Sequence, residues 1–134
     1  MTKKTEDFSI SAEITKVDSE KRVVYGWASV IEKDGNQIVD HQGHIIEINE
    51  LTTAAHDFML ESRVGKEMHD GSKVSDVVES VIFSNELQDS LGIDLGKVGW
   101  MIGMKIHDDA TLLKFKNGEL KDFSIGGRGV LEDA

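Results

Sequence analysis

The sequence predicts a single α+β domain that is mainly β: a small antiparallel sheet or barrel with about two flanking helices. Three observations support this prediction. The chain has 134 residues, which gives room for one hydrophobic core. Several short runs alternate apolar with polar residues or are rich in β-branched residues, as strands are. One further stretch repeats apolar residues at helical spacing, and another lies between helix cap and stop residues, which predicts about two helices.

The N-terminal half begins with a predicted hairpin. Residues 8–17 alternate between apolar and polar side chains, which predicts a strand with one buried face. Arg22 to Glu32 follows a polar break and is rich in β-branched and aromatic residues, which favours the second strand. We expect residues 1–7 to be a flexible N-terminus and residues 8–134 to form the single domain.

The remaining strands are shorter. Extended pieces are predicted from Gln37 to Val39, from His44 to Ile46, from Val74 to Phe83 and from Trp100 to Ile106. A last strand is predicted from Lys121 to Ile125. Because glycine disfavours strands, we expect Gly126, Gly127 and Gly129 to loosen the chain after it.

Two helices are predicted. Residues 50–61 have apolar side chains at helical spacing, and Asn49 is a plausible cap. Residues 110–116 can be capped by Asp108 or Asp109, and Asn117-Gly118 is a strong stop signal. The polar segment 84–96 is predicted to be a loop with at most a short helical turn.

Charge and composition exclude several classes of function. Fifteen basic against twenty-five acidic residues give a net charge of −10, which repels nucleic acids and anionic membranes. No cysteine is present, so thiol catalysis, disulfides and cysteine-ligated metals are excluded. The N-terminus lacks the apolar stretch of a secretory signal, and we expect the chain to remain where it is made.

Histidine is the usual base near neutral pH, and the chain has five. His56 is expected on the solvated face of the first helix, and His107 at a polar element boundary. Asp40, His41 and His44 lie close enough in sequence to suggest metal ligands, an alternative that the spacing alone supports weakly.

His69 and Ser124 lie in more distinctive surroundings. His69 follows an apolar approach and opens a tight polar turn, where an imidazole can be exposed at the rim of a sheet. Alternation places Phe123 and Ile125 on one face of the last strand and Ser124 on the other. A serine needs a base to become a nucleophile and aimed donors to stabilise the oxyanion that follows. From the residues alone, a surface turn is the favoured interpretation of His69, and a strand-end serine before a flexible turn is the favoured interpretation of Ser124.

The order of several blocks resembles that of the phage prohead proteases, in the XkdF-like branch. The resemblance covers about residues 22–129. Its blocks are Val24-Tyr25-Gly26-Trp27, Asp40-His41-Gln42-Gly43, Phe58-Met59, Met68-His69-Asp70, Val77-Val78-Glu79-Ser80, Gly99-Trp100-Met101-Ile102-Gly103 and Gly118-Glu119-Leu120-Lys121-Asp122-Phe123-Ser124-Ile125-Gly126-Gly127. That family consists of serine peptidases similar in fold to the herpesvirus assemblins, a β-barrel surrounded by helices.

The resemblance implies a catalytic pair, with Ser124 as nucleophile and His69 as base. The backbone N–H groups of Gly126, Gly127 and Arg128 are the candidate oxyanion donors. A third group usually orients the base. Glu79 is our first choice, because it is a lone charge in an apolar strand-like run, although a solvent-facing position in that strand explains the charge equally well. Two carboxylates of the C-terminal tail, Glu132 and Asp133, are the alternatives.

The resemblance also implies a function. We expect a serine endopeptidase that processes scaffold and major capsid proteins in the host cytoplasm, inside the assembling procapsid. No cofactor, metal, nucleic acid or membrane is expected to take part, and a homodimer remains open. The alternative is a non-catalytic assembly module that binds scaffold protein and keeps the protease fold.

Overall fold

The computed structural model describes residues 3–39, 43, 45–65 and 75–132, with side chains for 12–39, 43, 45–61 and 75–122. These residues form an antiparallel sheet and three helices, which confirms the predicted fold class. The strands are β1 (Lys3–Asp18), β2 (Val23–Lys33), β3 (Asn36–Gln37), β4 (Ser75–Phe83), β5 (Lys97–Ile106) and β6 (Asp122–Glu132). The helices are α1 (Ile48–Gly65), α2 (Asn85–Leu91) and α3 (Asp109–Lys116).

The sheet has the strand order β4-β5-β2-β1-β6, and the short β3 pairs with β2. The predicted β1–β2 hairpin is confirmed, with Asp18 opposite Val23 at its closed end. Within that turn the Lys21 amide donates to Asp18 Oδ1 at 3.1 Å. The bridge between Val39 and Ile45 is the described counterpart of the predicted extended pieces at 37–39 and 44–46.

β1 begins at Lys3, whereas the alternation predicted a start at residue 8 and a flexible segment before it. Residues 3–7 are polar and show no alternation, so the pattern gave no strand signal. Their backbone instead pairs with the distant C-terminal part of β6, from Arg128 to Glu132. Ladder hydrogen bonds of this kind depend on a partner strand that local sequence does not reveal.

β5 is the central strand of the core. Trp100, Ile102, Met104 and Ile106 are buried, as their alternation predicted, and the strand begins slightly earlier, at Lys97. On the buried face of α1, Phe58 packs edge-to-face on Trp100, with ring centroids 5.5 Å apart. Aromatic pairs in this geometry add to the stabilisation from burial alone.

The two predicted helices are confirmed as α1 and α3, but α1 begins at Ile48, so the prediction that Asn49 caps it is wrong. Asp108 caps α3 by accepting the Thr111 amide at 2.9 Å and the Thr111 hydroxyl at 2.6 Å. These hydrogen bonds lower the pKa of the Asp108 carboxyl. The predicted stop follows at Asn117, and Gly118 has a positive φ of 77°.

α2 forms where the sequence predicted a loop with a short helical turn. Ser84 caps its start, accepting the Leu87 amide, and Gly92 ends it in the left-handed conformation. The buried side chain of Gln88 explains why the polar segment folds. Its amide nitrogen donates to the carbonyls of Phe83 and Lys97, and its oxygen accepts the Leu95 amide. Gln88 thereby joins α2 to the strands on either side.

The sheet is not closed into a barrel in the described part of the chain, which corrects the β-barrel that the resemblance implied. β4 and β6 are the two ends of the strand order and do not pair with each other there. α1 contacts both of these end strands as well as β5. The sheet therefore curves around α1, whose buried Leu51, Ala55 and Phe58 fill the enclosed space.

Candidate active site

Ser124 lies on β6, where its Cα is opposite that of Ser11 in β1. The next pair along the ladder joins Phe123 to Ala12, which is fully buried in the core. Just before β6, the Ile14 amide donates to the Lys121 carbonyl at 2.9 Å. The backbone of the predicted nucleophile is therefore held in a regular ladder next to the core.

The glycine stretch after Ser124 differs from the prediction. We expected the strand to end at Ile125, but Gly126, Gly127 and Arg128 continue β6, opposite Ser9, Phe8 and Asp7. Pairing with β1 supplies the ladder hydrogen bonds that offset the low strand propensity of glycine. Backbone N–H groups in a strand have fixed directions. Their assignment as oxyanion donors stays a prediction.

His69 lies outside the described residues, as do Asp40, His41, His44 and Asp133. In sequence, His69 falls between the end of α1 at Gly65 and the start of β4 at Ser75. Its pairing with Ser124 and the metal-site alternative therefore stay predictions. Among the described residues, no three His, Asp or Glu side chains are arranged to hold a metal ion.

Glu79 lies on β4, where its side chain accepts a hydrogen bond from a tyrosine. The Tyr25 hydroxyl donates to Glu79 Oε2 at 2.6 Å. This hydrogen bond, with smaller effects from burial and from the Glu79 charge, raises the pKa of Tyr25 to about 12. The contact crosses Gly103 on the intervening strand, where a Cβ would lie 3.0 Å from Tyr25 Cε1 and 3.1 Å from Glu79 Cβ.

The register locates Glu79 relative to Ser124. Glu79 is opposite Gly103, Gly103 opposite Tyr25, and Tyr25 opposite Lys16 of β1. Ser124 pairs with Ser11, five residues farther along β1, about 17 Å at the rise of a strand. Three strands also separate β4 from β6 in the sheet. Glu79 has a structural role with Tyr25, and its role toward His69 stays a prediction.

The structure reveals a histidine–carboxylate pair that the sequence analysis did not identify. His107 Nε2 lies 2.9 Å from Asp76 Oδ2. Next to it, Arg22 Nε donates to the Ile106 carbonyl and Arg22 Nη2 to the His107 carbonyl. Arg22 Nη2 also lies 2.8 Å from Asp109 Oδ1. These contacts tie the β1–β2 turn to the ends of β4 and β5.

This pair is remote from Ser124 along the strands. Lys105, two residues before His107, pairs with Val23, and Val23 pairs with Asp18. Asp18 is seven residues from Ser11 along β1, about 23 Å at the rise of a strand. His107 and Asp76 are 31 residues apart in sequence, so no local motif signals their contact. We interpret the pair as a structural contact that holds the start of β4 against the end of β5.

No helix among the described residues is long and apolar enough to cross a membrane.

Comparison with known protein families finds a match that covers most of the chain. The family described as "Putative phage serine protease XkdF" matches residues 11–132. The matched range contains both Ser124 and His69. A search of curated proteins and a search of solved structures each returned no match.

Proposed function

Because the chain belongs to the phage serine protease XkdF family, we propose that it is a serine endopeptidase that processes scaffold and major capsid proteins during procapsid maturation. The observation that carries the proposal is the family match over 122 of 134 residues, 11–132. Its site of action is then the host cytoplasm, inside the assembling procapsid.

The proposed chemistry is acyl transfer to Ser124. The Ser124 hydroxyl oxygen attacks the scissile carbonyl carbon while His69 accepts the hydroxyl proton. The tetrahedral intermediate collapses, the peptide C–N bond breaks, and His69 gives that proton to the leaving amine. Water then hydrolyses the ester, with His69 again as base. Backbone N–H groups among Gly126, Gly127 and Arg128 are proposed to stabilise the oxyanion. This mechanism uses no cofactor.

The β6 geometry supports Ser124 in this role. A nucleophile must be held in place before the substrate arrives, because a displacement of 1 Å can cost much of the rate. An unshifted ladder of eleven residue pairs joins β6 to β1, and Ser124 lies within it. The backbone that carries Ser124 is thus ordered without the substrate.

Co-expression with the scaffold and major capsid proteins of the same phage tests the proposal. Ser124→Ala and His69→Ala should each abolish cleavage, measured by intact-mass spectrometry of the substrates. Ser11→Ala is the matched control for the serine because it changes the residue paired with Ser124. His56→Ala is the control for the histidine because His56 is exposed on α1. Both controls should cleave at the wild-type rate.

Two outcomes would contradict the proposal. Normal cleavage by a Ser124→Ala protein with a wild-type circular dichroism spectrum would exclude Ser124 as nucleophile. Absence of cleavage by the wild-type chain, together with its co-purification with scaffold protein, would favour the non-catalytic assembly module. If Ser124 and His69 act as a unit, the double variant should be little worse than either single variant.

The third member of the site can be tested separately. We propose Glu79 for this role, with Glu132 and Asp133 as alternatives. Glu79→Gln removes the charge and keeps a hydrogen-bonding side chain, whereas Tyr25→Phe removes only the hydroxyl that binds Glu79. If Glu79 stabilises protonated His69, Glu79→Gln should lower the cleavage rate and Tyr25→Phe should not. If both variants cleave at the same rate, Glu79 has a structural role only. Glu132 and Asp133 are then the candidates to test next.

A further inference from the structure

The segment that joins α2 to β5 exposes three large aliphatic side chains. Leu91, Ile93 and Leu95 are 57%, 40% and 42% exposed, and they lie within five consecutive residues. A single exposed aliphatic residue is ordinary on a protein surface, whereas several grouped together mark a surface that contacts another molecule. We call residues 91–95 the aliphatic loop.

Hydrogen bonds hold the aliphatic loop in place. The Ile93 amide donates to the Gln88 carbonyl at 3.0 Å, and the Leu95 amide donates to Gln88 Oε1 at 2.8 Å. The Gly96 amide, just after the loop, donates to Asp94 Oδ1 at 2.9 Å. A surface that is already ordered loses little conformational entropy on binding, so more of the energy of its apolar contacts becomes affinity.

An acidic cleft lies next to the aliphatic loop. Its volume is about 300 Å³, and Asp94 of the loop forms part of its wall. Its other carboxylates belong to Glu32, near the end of β2, and to Asp34, in the turn that follows. The Asp34 amide donates to the Gly96 carbonyl at 2.8 Å, which joins that turn to the loop. The volume is at the lower end of the range for small-molecule pockets, so it fits one long side chain better than a whole ligand.

The charges of the cleft favour a cation. Lys97 also lines the wall, but its ammonium lies over the Trp27 ring, 5.9 Å from the ring centroid. In the described part of the chain, no lysine or arginine forms an ion pair with Glu32, Asp34 or Asp94. The cleft therefore complements a lysine or arginine side chain from another molecule. A second copy of this chain is an unfavourable occupant, because its net charge of −10 repels an acidic surface.

We propose that the aliphatic loop and the acidic cleft together form a docking surface for a substrate segment in which a lysine or arginine is flanked by large aliphatic residues. The aliphatic side chains of the segment pack on Leu91, Ile93 and Leu95, and its cation enters the cleft. The inference rests on the proposed function for the identity of the partner, a scaffold or major capsid protein. The apolar contacts supply most of the affinity, because exposed ion pairs contribute little, and the carboxylates select the partner by its charge.

The docking surface is separate from the proposed nucleophile. It adjoins the start of β5, whereas Ser124 lies on β6, with β2 and β1 between these two strands. The three steps from β5 to β6 amount to about 14 Å along the sheet. A substrate held at the docking surface thus presents a different part of its chain to Ser124. Docking raises the local concentration of the cleavage site and takes no part in breaking the peptide bond.

Binding to the full-length Ser124→Ala protein tests the inference without cleavage. The probes are short overlapping peptides that cover the scaffold and major capsid proteins of the same phage, and binding is measured by fluorescence anisotropy. The peptides that bind should contain a lysine or arginine beside aliphatic residues. Changing that cation to glutamine should weaken binding about fivefold at low salt and little at high salt, where exposed charges are screened. Absence of binding by every peptide, or binding only by peptides that lack such a segment, would overturn the inference.

A variant of the aliphatic loop tests the apolar contacts. Replacing both Ile93 and Leu95 by serine should weaken binding of the same peptide about tenfold or more, because aliphatic surface is no longer buried on binding. The unfolding temperature should stay close to that of the wild type, since both side chains are exposed. Leu60→Ser is the matched control because Leu60 is exposed on α1, and it should bind the peptide normally. Unchanged binding by the folded double variant would contradict the inference.

A second double variant tests the cleft. Asp34→Asn combined with Asp94→Asn removes two charges and keeps the oxygen that accepts the Gly96 amide. Binding should weaken about fivefold at low salt, and the difference should disappear at high salt. Asp57→Asn combined with Glu61→Gln is the matched control, because it removes two exposed charges from α1. Equal weakening by both variants would indicate a general attraction to an acidic protein and would overturn the assignment of the cleft.

Failure of the proposed function would give a different result. A wild-type chain that binds the peptide through the aliphatic loop but never cleaves scaffold or capsid protein would retain the docking surface and exclude the protease. A chain that cleaves these proteins with an unchanged KM after replacement of Ile93 and Leu95 would retain the protease and exclude the docking surface. Self-association of the peptide-free chain that the same replacement abolishes would assign the surface to a second copy and overturn the inference.

Discussion

β5 contains two glycines and β6 contains three, but their glycines lie in different surroundings. In β5, Gly99 and Gly103 are surrounded: a Cβ at Gly99 would lie 2.1 Å from the Ser29 carbonyl oxygen. β6 is an end strand whose glycines follow Ser124, and the described sheet has no strand beyond it. β5 pairs with a strand on each side, whereas among the described strands β6 pairs with β1. The comparison predicts that a Cβ added at a glycine of β5 lowers stability more than one added at a glycine of β6.

Phe58→Ala should have the largest effect on stability. Phe58 is buried and packs edge-to-face on Trp100 of β5, so its removal leaves a cavity in the centre of the core. We expect a loss of about 4 kcal/mol in the free energy of unfolding, measured by urea denaturation. Leu60→Ala on the same helix is the control, because Leu60 is 66% exposed and should cost little. Equal losses in the two variants would show that β5 is not the centre of stability.

Gly99→Ala against Gly127→Ala tests the comparison most directly for stability. The new Cβ at Gly99 meets backbone atoms of Ser29 and Val30, which cannot move without breaking the ladder. We expect a loss of about 3 kcal/mol or more for Gly99→Ala. For Gly127→Ala we expect no loss, or a gain of up to about 1 kcal/mol, because alanine is entropically less costly than glycine in a strand. Similar losses at both positions would remove the distinction between the two strands.

Gly103→Ala should lower stability moderately and should also change the ultraviolet titration of Tyr25. The new Cβ would press on the Tyr25 ring and the Glu79 Cβ, and the side chains can shift to relieve the contact. Displacement should weaken the hydrogen bond that raises the pKa of Tyr25 to about 12. Tyr25 is the one tyrosine of the sequence, so the rise in ultraviolet absorbance with pH reports its ionisation directly.

The sign of this pH dependence follows from the raised pKa. Neutral Tyr25 is favoured by folding, so its contribution to stability is fully present below the unfolded pKa of about 10 and is lost as pH rises toward 12. Glu79→Gln and Gly103→Ala should both shift the ionisation of Tyr25 toward pH 10. An unchanged titration curve in Glu79→Gln would contradict the assigned cause of the raised pKa.

The smallest effect is expected in α3, which connects β5 to β6. The pKa of Asp108 is lowered by its hydrogen bonds from Thr111. Its charged form is therefore favoured by folding, and this contribution is lost as pH falls below about 4 through the folded-state pKa. Asp108→Asn keeps a capping oxygen without a charge. Its unfolding temperature should fall less steeply on acidification than that of the wild type, and equal slopes would exclude this role.

The sequence was informative where a local pattern decides the structure. The alternation from Trp100 to Ile106 predicted the buried face of β5, and Asp108 with Asn117-Gly118 predicted both ends of α3. In each case the residues that fix the structure are neighbours in the chain. Hydrophobic alternation and capping depend on such neighbours, so one sequence suffices to identify them.

Long-range pairing explains what the sequence did not predict. Residues 3–7 and Arg128 to Glu132 form strands because each segment supplies the other's ladder partner, and neither has a strand pattern alone. The contact of Tyr25 with Glu79 spans 54 residues and that of Asp76 with His107 spans 31. For the candidate site, the resemblance implies Ser124 and His69, whose roles stay predictions, and the structure locates the Ser124 backbone on β6.

Labelling of the nucleophile tests the central claim most directly. A fluorophosphonate probe forms a covalent bond with a serine oxygen only when that serine is activated. The wild-type chain, co-expressed with its scaffold and capsid proteins, is treated with the probe and digested, and the modified residue is identified by mass spectrometry. The account predicts an adduct on Ser124 that His69→Ala abolishes and His56→Ala leaves unchanged. An adduct on another serine, or a folded chain with no adduct, would contradict it.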